Sequence, residues 1–276
     1  MSSLDRPPAL RTFAQDLRHA MKAWRSHPRL PIYSVLIEGG PYIFTAITYW
    51  LIDFPDCNRH RGHGCGPLFI IEPWATLIFT LVFAGWYGTQ RIWYLRAFRG
   101  RQLEPGEFWP LTSAFRRRYI VLGLLFVAVG MVPVLGLLIS PGNTRAAIVA
   151  LVIWTMALDA AITFVTPALA FSTRKVRDAF RIGFKLIKQT WPASLLYVFI
   201  PPLALRAAAA AASASTQRSA VVFAIVADVF FVLLLAWFKG ATARFYLRFN
   251  ETGDNGAAFP ETAEGSEDDT RAAESN

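Results

Sequence analysis

The apolar positions of this chain fall into six long blocks separated by short polar stretches. The blocks run from about Leu30 to Ile52, Pro67 to Gly88, Tyr119 to Ser140, Ala146 to Phe171, Trp191 to Ala212 and Ser219 to Lys239. Each approaches or exceeds the roughly 20 predominantly apolar residues that cross a hydrocarbon core. They are apolar all round rather than striped, which is rare for soluble helices of such length. The pattern predicts an all-α polytopic membrane protein with six transmembrane helices. The first block contains Glu38-Gly39-Gly40-Pro41, so a kink or break is expected there. Pro133, Pro167 and the Pro201-Pro202 pair predict loosened helices in the third, fourth and fifth blocks.

The stretches between the blocks have a different period. Leu10, Phe13, Leu17, Met21 and Trp24 recur every three or four residues, with Arg11, Arg18, Lys22 and Arg25 beside them. Val176, Phe180, Phe184, Ile187 and Trp191 repeat the pattern between the fourth and fifth blocks. Both read as amphipathic helices lying in a headgroup layer, or as ordinary basic connecting helices. Between the second and third blocks, Gly100, Pro105, Gly106 and Pro110 predict a loop broken into short pieces. There Phe108, Trp109, Leu111 and Phe115 are expected to dip into the interface.

Composition agrees with the blocks. Of 276 residues, 54% are hydrophobic and 17% charged, against about 25% charged in a soluble domain. An aromatic share of 14% excludes a chain that is disordered throughout. Two cysteines are too few for a disulfide scaffold.

Charge supplies the orientation. Of 28 Lys and Arg residues, 23 fall before the first block, between the second and third, between the fourth and fifth, or after the sixth. This asymmetry places both termini in the cytoplasm of a multi-pass inner (plasma) membrane protein. The first 29 residues hold six Lys and Arg and no apolar core of signal-peptide length, so the first span is expected to remain in the mature protein. Residues 1–250 carry 27 basic and 11 acidic groups, whereas residues 251–276 carry one arginine and eight acids. The expected organisation is a basic amphipathic segment over 1–29, a six-helix transmembrane domain over 30–248 and a disordered acidic cytoplasmic tail over 249–276. The basic balance points to anionic lipid headgroups, with room for a protein partner, and not to nucleic acid.

Several residue groups invite chemistry. The loop between the first two blocks holds Cys57, His60, His63 and Cys65. A Cys57–Cys65 disulfide, a weak zinc site of all four residues and two free thiols are the competing readings. Ionisable residues inside spans are functional candidates by default. Glu38 and Asp159 come to similar depths, counted at about 1.5 Å per residue; they suit either a proton or cation site or a dry polar contact. Arg206 and Asp228 both fall in the outer half of neighbouring spans and predict an ion pair. The lipid-facing basic candidates are Arg116, Arg117, Arg118, Arg174, Lys175, Arg177, Arg181, Lys185 and Lys188.

No phosphate-binding loop, dinucleotide fingerprint, zinc-protease motif or nucleophile elbow is present in the sequence, and no cofactor is expected. Two stretches carry a resemblance. One has Gly100, then Glu107-Phe108-Trp109, then Phe115-Arg116 leading into the third block; the other is Phe164-Val-Thr-Pro-Ala-Leu-Ala-Phe171, then Val176 to Phe180, then Trp191. These resemble a broad bacterial group of six-span membrane proteins. The group includes the membrane domain fused to some glycerophosphodiester phosphodiesterases and related stand-alone proteins of unknown function. The resemblance implies a topology and no assigned chemistry, and this chain has no room for the catalytic domain. The expected function is therefore a non-enzymatic integral membrane protein, organising the envelope or assisting lipid or partner assembly. The alternative is a small secondary transporter with Glu38 and Asp159 as its coupling pair.

Overall fold

The computed structural model describes residues 9–41, 43–44, 77–79, 81–139, 144–213 and 220–251, with side chains at 133–148, 205–224 and 250–251 outside that description. Among the described residues every regular element is helical. In chain order these are α1 (Ala9–Ser26), α2 (Arg29–Glu38), α3 (Trp86–Phe98), α4 (Phe108–Ile139), α5 (Thr144–Thr163), α6 (Val165–Phe171), α7 (Val176–Thr190), α8 (Ala193–Ser213) and α9 (Ala220–Glu251). The cysteine and histidine loop and residues 252–276 lie outside the described residues.

Among the described residues two stretches are long and apolar enough to cross a membrane: Val149–Phe171, 23 residues, and Ile225–Phe249, 25 residues. The helix of a soluble core would be mostly covered, yet only 11% and 33% of their apolar windows are buried inside the protein. Along α4 the apolar Val121, Leu124, Leu125, Val127, Met131 and Val132 are likewise exposed.

The breaks have local causes. α2 ends at Glu38, and Gly39 keeps right-handed backbone geometry while its N–H bonds the Val35 carbonyl. The helical path resumes at Gly40, so the glycine pair interrupts the helix without turning the chain away. Between α5 and α6 the break falls at Phe164, three residues before Pro167. Proline at position i has no N–H for the carbonyl at i−4 and its ring collides with it; here that carbonyl belongs to Thr163, the last residue of α5. The loop expected to be fragmented up to Arg118 is shorter than the sequence suggested. One 3-10 turn spans Pro105–Glu107, and α4 then runs unbroken for 32 residues from Phe108. Pro110 sits in its first turn, where the missing N–H would have no partner anyway. Phe108 and Phe115 consequently face inward at 6% and 7% exposure, and Trp109 alone of that group is largely exposed.

α3 is the hub. It packs against α1, α2, α4, α6 and α9, and polar Thr89, Gln90 and Arg91 are buried along with Trp86, Trp93 and Tyr94. Glycines let α4 approach. A Cβ on Gly85 would lie 1.7 Å from the Thr112 carbonyl oxygen, and one on Gly88 would lie 2.4 Å from the Phe115 ring. Tyr33, Trp86, Trp93 and Phe108 close one end of this core, with ring centroids 5.2 to 6.2 Å apart.

α1 turns part of its predicted stripe inward: Phe13 lies in the core and Leu17 and Trp24 pack against it. Its buried residues are Thr12, Phe13, Asp16, Ala20 and Ala23, while Leu10 is 70% exposed. Small residues decide the docking: a Cβ on Gly240 of α9 would meet the Ala20 Cβ at 2.9 Å and the Tyr94 ring at 2.5 Å. α1 thus seats on the last third of α9, with side contacts to α8 and α3.

Candidate functional site

Two buried polar clusters and one exposed basic face stand out. The first cluster centres on Glu38, at the end of α2. Its Oε1 accepts hydrogen bonds from Trp86 Nε1 and Gln90 Nε2, both at 2.9 Å, and its Oε2 meets Lys239 Nζ at 2.5 Å. Gln90 Nε2 also donates to Ser34 Oγ at 2.9 Å, and the Ser34 hydroxyl donates to the Leu30 carbonyl. Lys239 lies 4.6 Å from the Tyr87 ring centroid. The Glu38 and Lys239 side chains are 6% and 12% exposed.

Arg91 joins this cluster from the next position on α3. Its guanidinium donates to the Lys239 carbonyl and, at 3.3 Å, to Thr166 Oγ1. Thr166 stands where the α5–α6 break has loosened the backbone, and its carbonyl accepts from the Tyr119 hydroxyl at 2.8 Å. Two cations and one carboxylate therefore share a packed interior. Their contacts tie α2, α3, α4, α6 and α9 into one unit.

Glu38 meets Lys239, not a second carboxylate. Its helix packs on α1, α3 and α9, whereas the helix bearing Asp159 packs on α4, α6, α7 and α8. Asp159 is half-buried, and its carbonyl accepts from Thr163 Oγ1 at 2.7 Å. Asp228 is half-buried on α9, which packs against α8 as expected for adjacent spans. The Arg206 side chain, and with it the expected Arg206–Asp228 pair, lies outside the described residues.

The second cluster was not foreseen from sequence. Asp16, fully buried on α1, accepts from the Tyr197 hydroxyl at 2.6 Å and pairs with Arg248 of α9. Nearby, Trp237 Nε1 donates to the Leu17 carbonyl at 2.8 Å and Trp24 Nε1 donates to the Tyr94 hydroxyl at 2.7 Å. A signal was available in the spacing: Asp16 follows Phe13 by three residues and precedes Ala20 by four, which puts all three on one helical face.

Burial pushes the Asp16 carboxyl above its ordinary range; the Tyr197 hydrogen bond, Arg248, Arg244 and His19 oppose that shift without reversing it. The folded state then holds the proton more readily than the unfolded chain does. Stability from this group falls as pH rises from the unfolded value of 3.8 through the folded one. In an H19Q background, which removes the neighbouring imidazole, α1 should open more readily at about pH 7 than at about pH 4.5. Amide exchange over residues 9–26 reads this directly, and faster exchange in acid would contradict it.

The exposed face belongs to α7. Ala179, Gly183, Leu186 and Thr190 are its buried side. Arg177, Arg181, Lys185 and Lys188 are exposed on the other, interleaved with Phe184 at 54% and Trp191 at 61% exposure. Arg116, Arg117, Arg174 and Lys175 are also exposed, and Arg118 is half-buried.

Among the described residues no group of three or more His, Cys, Asp or Glu side chains is arranged to hold a metal ion. No family model, curated protein or solved structure matches the chain. The resemblance to the six-span group rests on the quoted residues alone.

Proposed function

We propose that this chain is a six-span, non-enzymatic integral membrane protein of the inner (plasma) membrane, with both termini inside, whose cytoplasmic face holds anionic phospholipid. One observation carries the reading: α7 exposes a row of cations interleaved with aromatic side chains. A helix of that kind lies in the headgroup layer, its aromatics among the upper acyl carbons and its cations at the phosphates. The buried polar cluster supports the same reading. A coupling carboxylate in a transporter needs a water path, and Glu38 is instead closed in by Trp86, Gln90 and Lys239. Under this reading the cluster fixes how the spans pack, and the membrane-facing work is done by the basic surface.

The test is lipid enrichment around the full chain in nanodiscs of mixed phosphatidylcholine and phosphatidylglycerol. The R181Q/K185Q/K188Q variant should lose phosphatidylglycerol enrichment, at about 1 kcal/mol per charge removed. Enrichment equal to wild type would sink the reading.

A further inference from the structure

Two arginines from distant parts of the chain, Arg118 on α4 and Arg174 before α7, lie within electrostatic reach of one another. Arg118 is half-buried, and its guanidinium lies over the Phe115 ring at 5.1 Å from the centroid. Arg174 is exposed in the turn between α6 and α7, and α4 and α7 pack against each other. After burial, the charge of Arg174 is the next influence that weakens the hold of Arg118 on its proton. Among the described residues no ion pair joins either arginine to a carboxylate. Asp178 is the single acid on α7, whereas Arg116, Arg117 and Lys175 add further positive charge to the same region.

Two like charges within electrostatic reach, without an intervening acid, repel one another unless an anion lies between them. The stacking of Arg118 on Phe115 holds one guanidinium in place, so it meets an anion with little ordering left to do. The helix above supplies a second constraint. Val121 and Leu125 follow Arg118 by three and seven residues, which places them on its face of α4. They are 49% and 43% exposed, with Leu124 beside them at 60%. An anion at Arg118 therefore sits directly beneath an open apolar surface suited to an acyl chain.

We propose that Arg118 and Arg174 together grip the phosphomonoester headgroup of an inner-leaflet phospholipid, whose chain lies along Val121 and Leu125. The proposal rests on the reading of the basic face as a lipid surface and names the headgroup class one part of that face selects. A phosphomonoester offers three free oxygens and up to two negative charges, which match two guanidinium forks. A phosphodiester offers one charge and fewer free oxygens.

The experiment uses the full chain in phosphatidylcholine nanodiscs, titrated separately with phosphatidic acid and phosphatidylglycerol. Wild type should take up phosphatidic acid in preference. The R118Q/R174Q variant should lose that preference by about tenfold. It should keep or slightly raise its thermal stability, because the repulsion is relieved; that readout shows that the variant is folded. R118K/R174K, which keeps charge without the forks, should fall between the two. Equal uptake of both lipids by wild type, or a preference unchanged in R118Q/R174Q, would overturn the proposal. Displacement of phosphatidic acid by millimolar glycerol 3-phosphate would overturn the lipid source and leave a soluble phosphate site. The R181Q/K185Q/K188Q variant keeps the preference while its overall anionic uptake falls. Failure of that second effect overturns the general lipid reading independently of the arginine pair.

Discussion

Glu38→Gln should be the most damaging single polar substitution in the chain, destabilising it by about 3–5 kcal/mol. Among the described residues this carboxylate is the one anion that faces two buried cations, Lys239 through the ion pair and Arg91 within electrostatic reach. Glutamine keeps acceptors for Trp86 and Gln90 but leaves both cations uncompensated in a low-dielectric interior. Lys239→Met should cost less, because Arg91 still faces the remaining carboxylate. The double variant E38Q/K239M should recover much of the loss, since removing both partners of a buried pair is often near neutral. Thermal unfolding of the four proteins in one detergent checks the order. A double variant as unstable as E38Q alone would show that the pair is not the source of the loss.

Gly85→Ala should prevent the α3–α4 interface from closing. The added Cβ would sit 1.7 Å from the Thr112 carbonyl oxygen, 2.7 Å from its carbonyl carbon and 2.9 Å from the Arg116 nitrogen. All three are backbone atoms, so no side chain can rotate away and the helices must separate. The cost should reach or exceed the roughly 1–3 kcal/mol typical of overpacking. Gly88→Ala meets the Phe115 side chain at its root, 2.4 Å from Cγ and 2.8 Å from Cβ; this contact is less severe than the one at Gly85 and should cost less. Gly123→Ala on α4 meets nothing within 4 Å and should gain slightly from helix propensity, by less than about 1 kcal/mol. Folded yield by size exclusion ranks the three, and a G85A variant that behaves like G123A would refute the clash.

What the sequence makes legible depends on scale. The helical class, the break at Gly39 and Gly40 and the packing of α8 against α9 follow from apolar length, glycine and proline chemistry and short connections. The break near Pro167 was readable too, though displaced to Phe164 because proline damages the turn before it. Pro110 misled, since the same residue that ends a helix internally is harmless in a first turn. Partner choice was the least legible. Lys239 closes an apolar run, and so reads as a membrane-edge cation, yet α9 continues for 12 residues past it to Glu251. Matching carboxylates by depth paired Glu38 with Asp159, because counting along a helix gives height but not which neighbour it faces. Asp16 escaped notice because a stripe defined by large side chains passes over alanines, and Ala20 and Ala23 are what bring α1 against α9.

The seat of α1 has a consequence for biosynthesis. Asp16 and Arg248 are separated by 232 positions, so α1 leaves the ribosome long before its partner on α9 does. Until α9 arrives, the nascent chain displays an amphipathic helix with a stranded carboxylate on its inward face. A chain that terminates early never conceals it. Without α9 the buried carboxylate has no Arg248 and Ala20 has no Gly240 to seat against, so α1 gains its place only when the far end of the fold is present.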